Sequence, residues 1–196
     1  MSSDSKDVVR DSNKAEYLNQ AKDYQKAVVY CSRAAQKDKT ENPGIYEKWG
    51  TALQEQFKYK EAIAKYSRSI QICSEYIDVY SKWGFCLLYM GKFDEAYVKF
   101  EEAAKMIPVM KFYKVNCSLV LFVQGKVLEA KEILMNEKDR ATIYVCRYRY
   151  FYRNEIRKQR VRLEMAKDKE EKELIKSIIK GIIWIMENTK TWKTFY

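Results

Sequence analysis

Along most of the chain, apolar residues return every three or four positions, the spacing of one helix face. Tyr46, Trp49 and Leu53 form one such stripe, and Ala62, Tyr66 and Ile70 form another beyond the polar break FKYK. Each pair of stripes predicts a hairpin of two amphipathic helices. The pattern then repeats: Tyr46, Trp49, Gly50, Leu53 and Ala62 return as Tyr80, Trp83, Gly84, Leu87 and Ala96, each displaced by 34 residues. A weaker copy follows, with Gly91 returning as Gly125, Phe93 as Val127, Ala96 as Ala130, Phe100 as Leu134, and Ser118 standing where Gly84 stood. An earlier copy sets Ala15, Leu18, Tyr24, Ala27, Cys31 and Ala34 at the equivalent sites, one residue out of phase because the segment KDKTENPG is longer. Gly50 and Ala62 are small where two helices would touch, since a side chain there would push the backbones apart. Trp49 and Tyr66 are expected to supply the bulk beside those gaps.

A single hairpin cannot bury its own apolar face, so successive copies must stack. The 34-residue period, with W-G, then G-x-F-x-x-A, an aromatic, Ala and Pro108, resembles the tetratricopeptide repeat. The resemblance implies an all-α, right-handed solenoid of helical hairpins, with the first helix of each pair lining a concave groove that holds a peptide or a helix. The expected divisions are a flexible amino terminus over 1–7 and four repeats over 8–42, 43–76, 77–110 and 111–139. A basic amphipathic helix and a C-terminal amphipathic cap helix are expected over 140–196.

The opposite face of each first helix carries the functional information. It reads Ser12, Glu16, Asn19 and Gln20, then Glu47, Thr51, Gln54 and Glu55, which is hydrophilic and acidic. Further along it reads Ser81, Phe85, Leu88 and Tyr89, then Phe112, Val115, Leu119, Phe122 and Val123. Phe85, Leu88, Tyr89, Phe112, Val115, Leu119 and Phe122 are therefore the candidate binding groove. Helices apolar almost all round are normally buried on both sides, so either another protein or the chain's own C-terminal helix is expected to cover them. The chaperone adaptors of the family hold a terminal carboxylate in a clamp of Lys, Asn and Arg. Here Ser12, Glu16, Lys48 and Asp78 replace clamp positions and only Lys82 agrees in kind, so chaperone tails are disfavoured as partners.

Charge changes the picture only at the end of the chain. The net charge is +10, and +8 of it falls within residues 140–196. Between Arg140 and Leu163 there are eight Arg and Lys against one Glu. Tyr144, Tyr148, Phe151, Tyr152 and Ile156 make a helical stripe expected to dock on the last repeat, with the arginines mostly off it. Arg147, Arg149, Arg153, Arg157 and Arg160 are candidate polyanion contacts, which supports an alternative reading as a nucleic-acid or ribonucleoprotein-associated protein. Beyond the mixed-charge run AKDKEEKE, the apolar face of Leu174, Ile175, Ile178, Ile179, Ile182, Ile183 and Met186 is the candidate cover for the groove.

The remaining composition mostly excludes. Six Gly and two Pro favour long helices over sheet turns. The five cysteines are odd in number and no two are closer than 13 residues, so reduced, mostly buried thiols are expected rather than a disulfide framework or a zinc knuckle. There is no His, which removes the commonest general base, imidazole-dependent triads and His-ligated metals. No phosphate-binding or dinucleotide motif appears, so no catalytic residue, metal or cofactor is expected. The amino terminus lacks the apolar core of a secretory signal, and the apolar run IIKGIIWIM is too short to span a bilayer, so a cytoplasmic, reducing compartment is expected. The expected function is that of a non-enzymatic protein-interaction scaffold or adaptor.

Overall fold

The computed structural model describes the backbone of residues 3–136 and 142–188, and side chains over 5–110, 112–134 and 150–188. The described residues form α-helices and no strand: α1 (Ser3–Gln20), α2 (Tyr24–Lys37), α3 (Pro43–Glu55), α4 (Tyr59–Ile72), α5 (Ile77–Tyr89), α6 (Phe93–Met106), α7 (Lys111–Val123), α8 (Val127–Asn136), α9 (Thr142–Met165) and α10 (Lys169–Asn188). Two compact units divide inside α5, one running to Cys86 and the other from Leu87 onward.

In the first unit α1 pairs with α2, α3 with α4, and α2 packs on α3. Small residues allow the close approach: Ala27, Ala52 and Ala62 are fully buried. A Cβ added at Gly50 would lie 2.5 Å from the Tyr66 ring, so α3 and α4 meet across a glycine that Tyr66 fills. Trp49, expected beside that gap as well, is only half-buried, and the Lys65 ammonium sits 3.6 Å from its ring centroid. The bulk at the contact is therefore supplied by Tyr66. Between α2 and α3, Asp38 accepts hydrogen bonds from the Thr40 amide and hydroxyl at 2.9 and 2.6 Å and from the Asn42 amide at 2.6 Å. Asn42 then caps α3 by accepting from Gly44 N–H at 2.9 Å, with Pro43 at the first helical position.

The amino terminus differs from expectation. Residues 3–7 are not a loose end but the first turns of α1. Ion pairs tie this helix to α2: Asp7 reaches Lys37 at 3.3 Å, and the buried Asp11 lies 3.6 Å from Arg33 and 3.8 Å from Lys37.

The second unit packs α7 between α6 and α8, pairs α9 with α10, and lays α10 on α7. Where Gly50 stands in its repeat, Ser118 stands in α7, and its hydroxyl donates to the Ala130 carbonyl of α8 at 2.7 Å. The close contact survives there because the hydroxyl bonds to the facing backbone.

The turns of the four repeat hairpins are built alike. Lys22, Phe57, Gly91 and Gly125 have positive φ of 61°, 62°, 75° and 86°. The next residue's N–H reaches back to the carbonyls of Leu18, Leu53, Leu87 and Leu121 at 2.9 to 3.0 Å, which satisfies carbonyls that the helix end leaves open. Only two of the four positions are glycine. Lys22 and Phe57 hold a conformation that costs an L-residue roughly 1 kcal/mol.

Candidate functional site

The hydrophilic first-helix face of α1, α3 and the start of α5 is a ladder of polar contacts. Lys48 reaches Glu16 at 2.9 Å and donates to the Ser12 hydroxyl at 3.2 Å, while Asn19 Nδ2 donates to the Lys48 carbonyl at 3.0 Å. One repeat on, Lys82 pairs with Glu47 and donates to Thr51 Oγ1 at 3.2 Å, and Thr51 donates to Glu47 at 3.1 Å. Gln54 accepts from the Tyr66 hydroxyl at 2.9 Å. Glu16 stays half exposed, whereas Glu47 is mostly covered. Lys48 and Lys82, the two lysines on this face, both have carboxylate partners within the chain, so neither is a bare cation awaiting a ligand.

The apolar face of α7 has a different surrounding. Phe122 stacks on Trp184 of α10, with centroids 4.5 Å apart and planes 22° from parallel. A Cβ added at Gly181 would lie 2.9 Å from both Leu119 and Val123 and 3.3 Å from Phe122, so the α10 backbone at that glycine lies directly against α7 side chains. Ile175, Ile178, Ile182 and Ile185 of α10 are fully buried. Ile183, expected on the apolar face, is exposed, because the buried row runs at 175, 178, 182 and 185 and turns 183 away. Asp168 begins this helix by accepting from Glu171 N–H at 2.7 Å. Phe112, at the other end of α7, meets Phe151 of α9 edge-on at 5.3 Å. Of the other candidate groove residues, Phe85, Leu88, Tyr89, Val115 and Leu119 are buried.

The side chains of Tyr144, Tyr148, Arg147 and Arg149 lie outside the described residues. In the rest of α9, Tyr152 is buried and donates to Asn116 Oδ1 of α7 at 2.8 Å, while Arg153, Arg157 and Arg160 are exposed. The inward face of the helix continues through Glu155, Gln159 and Arg162, all buried. Gln159 donates to Glu155 at 3.2 Å, and Arg162 donates to Glu171 of α10 at 3.1 and 3.3 Å. That polar stripe was not read from the sequence. Its three or four residue spacing could have shown it, but charged residues read as a solvated face by default.

Burial pushes the thiols of Cys31 and Cys117 up to about 12, which leaves both protonated and unreactive near neutral pH. A cavity of about 500 Å³ beside the α9–α10 turn is lined by Tyr89, Met90, Arg162, Asp168, Glu170, Glu171 and Leu174, with Arg162 tied to Glu171. Among the described residues no trio of Cys, Asp or Glu side chains converges as for a metal ion, and no helix is long and apolar enough to cross a membrane.

No family model matches the chain, and no curated protein matches it in sequence. Its fold is nevertheless that of the tetratricopeptide-repeat proteins, as the sequence resemblance implied. MamA is similar over 68% of this chain and 80% of its own, with 22% identity and a TM-score of 0.63. YrrB, described as a tetratricopeptide-repeat protein with an unusual peptide-binding site, is similar over 95% of this chain and 93% of its own, with 15% identity and a TM-score of 0.60. The second tetratricopeptide-repeat domain of human RPAP3, solved in complex with an HSP70 peptide, is similar over 60% of this chain and 97% of its own, with 19% identity and a TM-score of 0.57.

Proposed function

We propose that the chain is a non-enzymatic protein-interaction scaffold whose first-helix face receives a helix, and that α10 is the resident occupant of its apolar part. One observation supports this most directly: a helix already lies on α7 through Gly181, with Trp184 stacked on Phe122. An amphipathic helix laid into an apolar groove is a recurring mode of peptide recognition. Two solved structures of this fold, YrrB and the RPAP3 domain, are described with peptide sites or peptide ligands. The carboxylate clamp is not carried over, because Lys48 and Lys82 are neutralised by Glu16 and Glu47. The nucleic-acid reading needs arginines and stacking aromatics on one surface. Of the described aromatics of α9, Phe151 contacts Phe112 and Tyr152 is buried, which leaves Tyr150 alone exposed beside the arginines.

The test releases α10 in the full chain with Ile178→Asp and Ile182→Asp together, then adds a labelled synthetic peptide of residues 169–188. The peptide is expected to bind this variant and not the parent, and Leu119→Asp added to the variant is expected to abolish the binding. A helical, folded variant that ignores the peptide would overturn the reading.

A further inference from the structure

The outward face of α9 is not used by any contact described so far. Arg153, Arg157 and Arg160 are spaced four and three residues apart, which sets them within an arc of roughly 60° on one side of the helix. All three are exposed. Among the described residues none of them makes an ion pair, and Arg157 has only a 3.4 Å hydrogen bond to Asn154. Elsewhere the basic side chains are commonly spoken for: Lys26, Lys48, Lys82, Lys92, Lys99, Lys105, Arg162 and Lys176 all have carboxylates within 3.1 Å. The same exposed side carries Tyr150, 71% exposed, and next to Arg160 the apolar pair Val161 at 50% and Met165 at 64% exposure.

We infer that this face is a second docking surface, separate from the first-helix face, and that its occupant is an acidic amphipathic helix of a partner protein. Charge complementarity supplies the sign: three guanidiniums in line, without carboxylates of their own, favour a row of Asp or Glu at the same spacing. Val161 and Met165, one turn apart, supply a short apolar seam beside them, as an apolar stripe flanked by charges does in paired helices. A lipid surface fits less well. An interfacial helix needs a continuous apolar face, whereas here Tyr150 and Val161 are eleven residues apart with Asn154, Arg157 and Lys158 between them. Nucleic acid fits less well too, since Tyr150 is the lone exposed aromatic on this face among the described residues.

The test titrates the full chain against a labelled synthetic helix with Glu at matching spacing beside a row of Leu, and against its twin with Lys in place of Glu. The parent is expected to bind the Glu helix and not the Lys helix. The triple change Arg153→Glu, Arg157→Glu and Arg160→Glu is expected to weaken the Glu helix at least tenfold and to transfer the preference to the Lys helix. Val161→Asp with Met165→Asp is expected to weaken binding of the parent to the Glu helix. Circular dichroism is expected to be unchanged throughout, because every altered side chain is exposed. Equal binding of the two peptides, binding of neither, or indifference to the arginine changes would overturn the inference. So would tighter, arginine-dependent binding to phosphatidylserine vesicles or to poly-uridine, which would assign the face to a lipid surface or to RNA.

Discussion

The first-helix face of α3 and that of α7 occupy the same place in the repeat and carry opposite chemistry. On α3, Glu47, Lys48 and Thr51 bond to α1 and α5 through Ser12, Glu16 and Lys82, and the face remains partly open to water. On α7 the face is apolar, and α10 lies on it with Gly181 and Trp184 against Leu119, Val123 and Phe122. The hairpin itself is indifferent to the choice. Its core side, with Gly50 or Ser118 at the tight contact and Leu53 or Leu121 anchoring the turn, is what the fold requires. The opposite side is released from that requirement. A repeat architecture can thus vary its binding surface without disturbing its packing.

The comparison can be broken most severely at α10. Ile182→Ala removes a fully buried side chain and should cost about 2 to 5 kcal/mol in chemical denaturation. Amide protection should fall in α7 and α10 while α1 to α4 keep theirs; a uniform loss would show that the two faces are not separately stabilised. The next effect belongs to the first unit. Gly50→Ala forces a Cβ to 2.5 Å from the Tyr66 ring and should cost about 1 to 3 kcal/mol by overpacking. Protection should then fall first in α3 and α4.

The smallest effects sharpen the comparison at the turns, where the two units differ only in residue type. Lys22→Gly should stabilise and Gly125→Ala should destabilise, each by about 1 kcal/mol, since both positions hold positive φ and no neighbour meets a Cβ added at Gly125. Opposite shifts of the denaturation midpoint would check this, and shifts of the same sign would remove the backbone explanation.

The 34-residue period alone determined the hairpins, their small-residue contacts and the positions of their turns. It did so because each repeat is a local object: helix spacing, the tight contact and the left-handed turn all lie within one copy of the pattern. Phe57 falls on the turn period with Gly91 and Gly125, and Lys22 one residue out of phase with it, although neither is glycine. The apolar run on α7 was legible as a surface needing a cover, and the isoleucine face beyond residue 169 as a candidate for it. What covers what was decided by the tertiary structure. Trp184 on Phe122, Gly181 against Leu119, Phe151 on Phe112 and Tyr152 bonded to Asn116 join residues 36 or more positions apart, and no spacing rule spans such intervals. The inward turn of Glu155, Gln159 and Arg162 follows from the same cause. A helix has one orientation once its aromatic anchors seat, and the charged residues that share their side are then buried with them, paired where a partner such as Glu171 lies within reach.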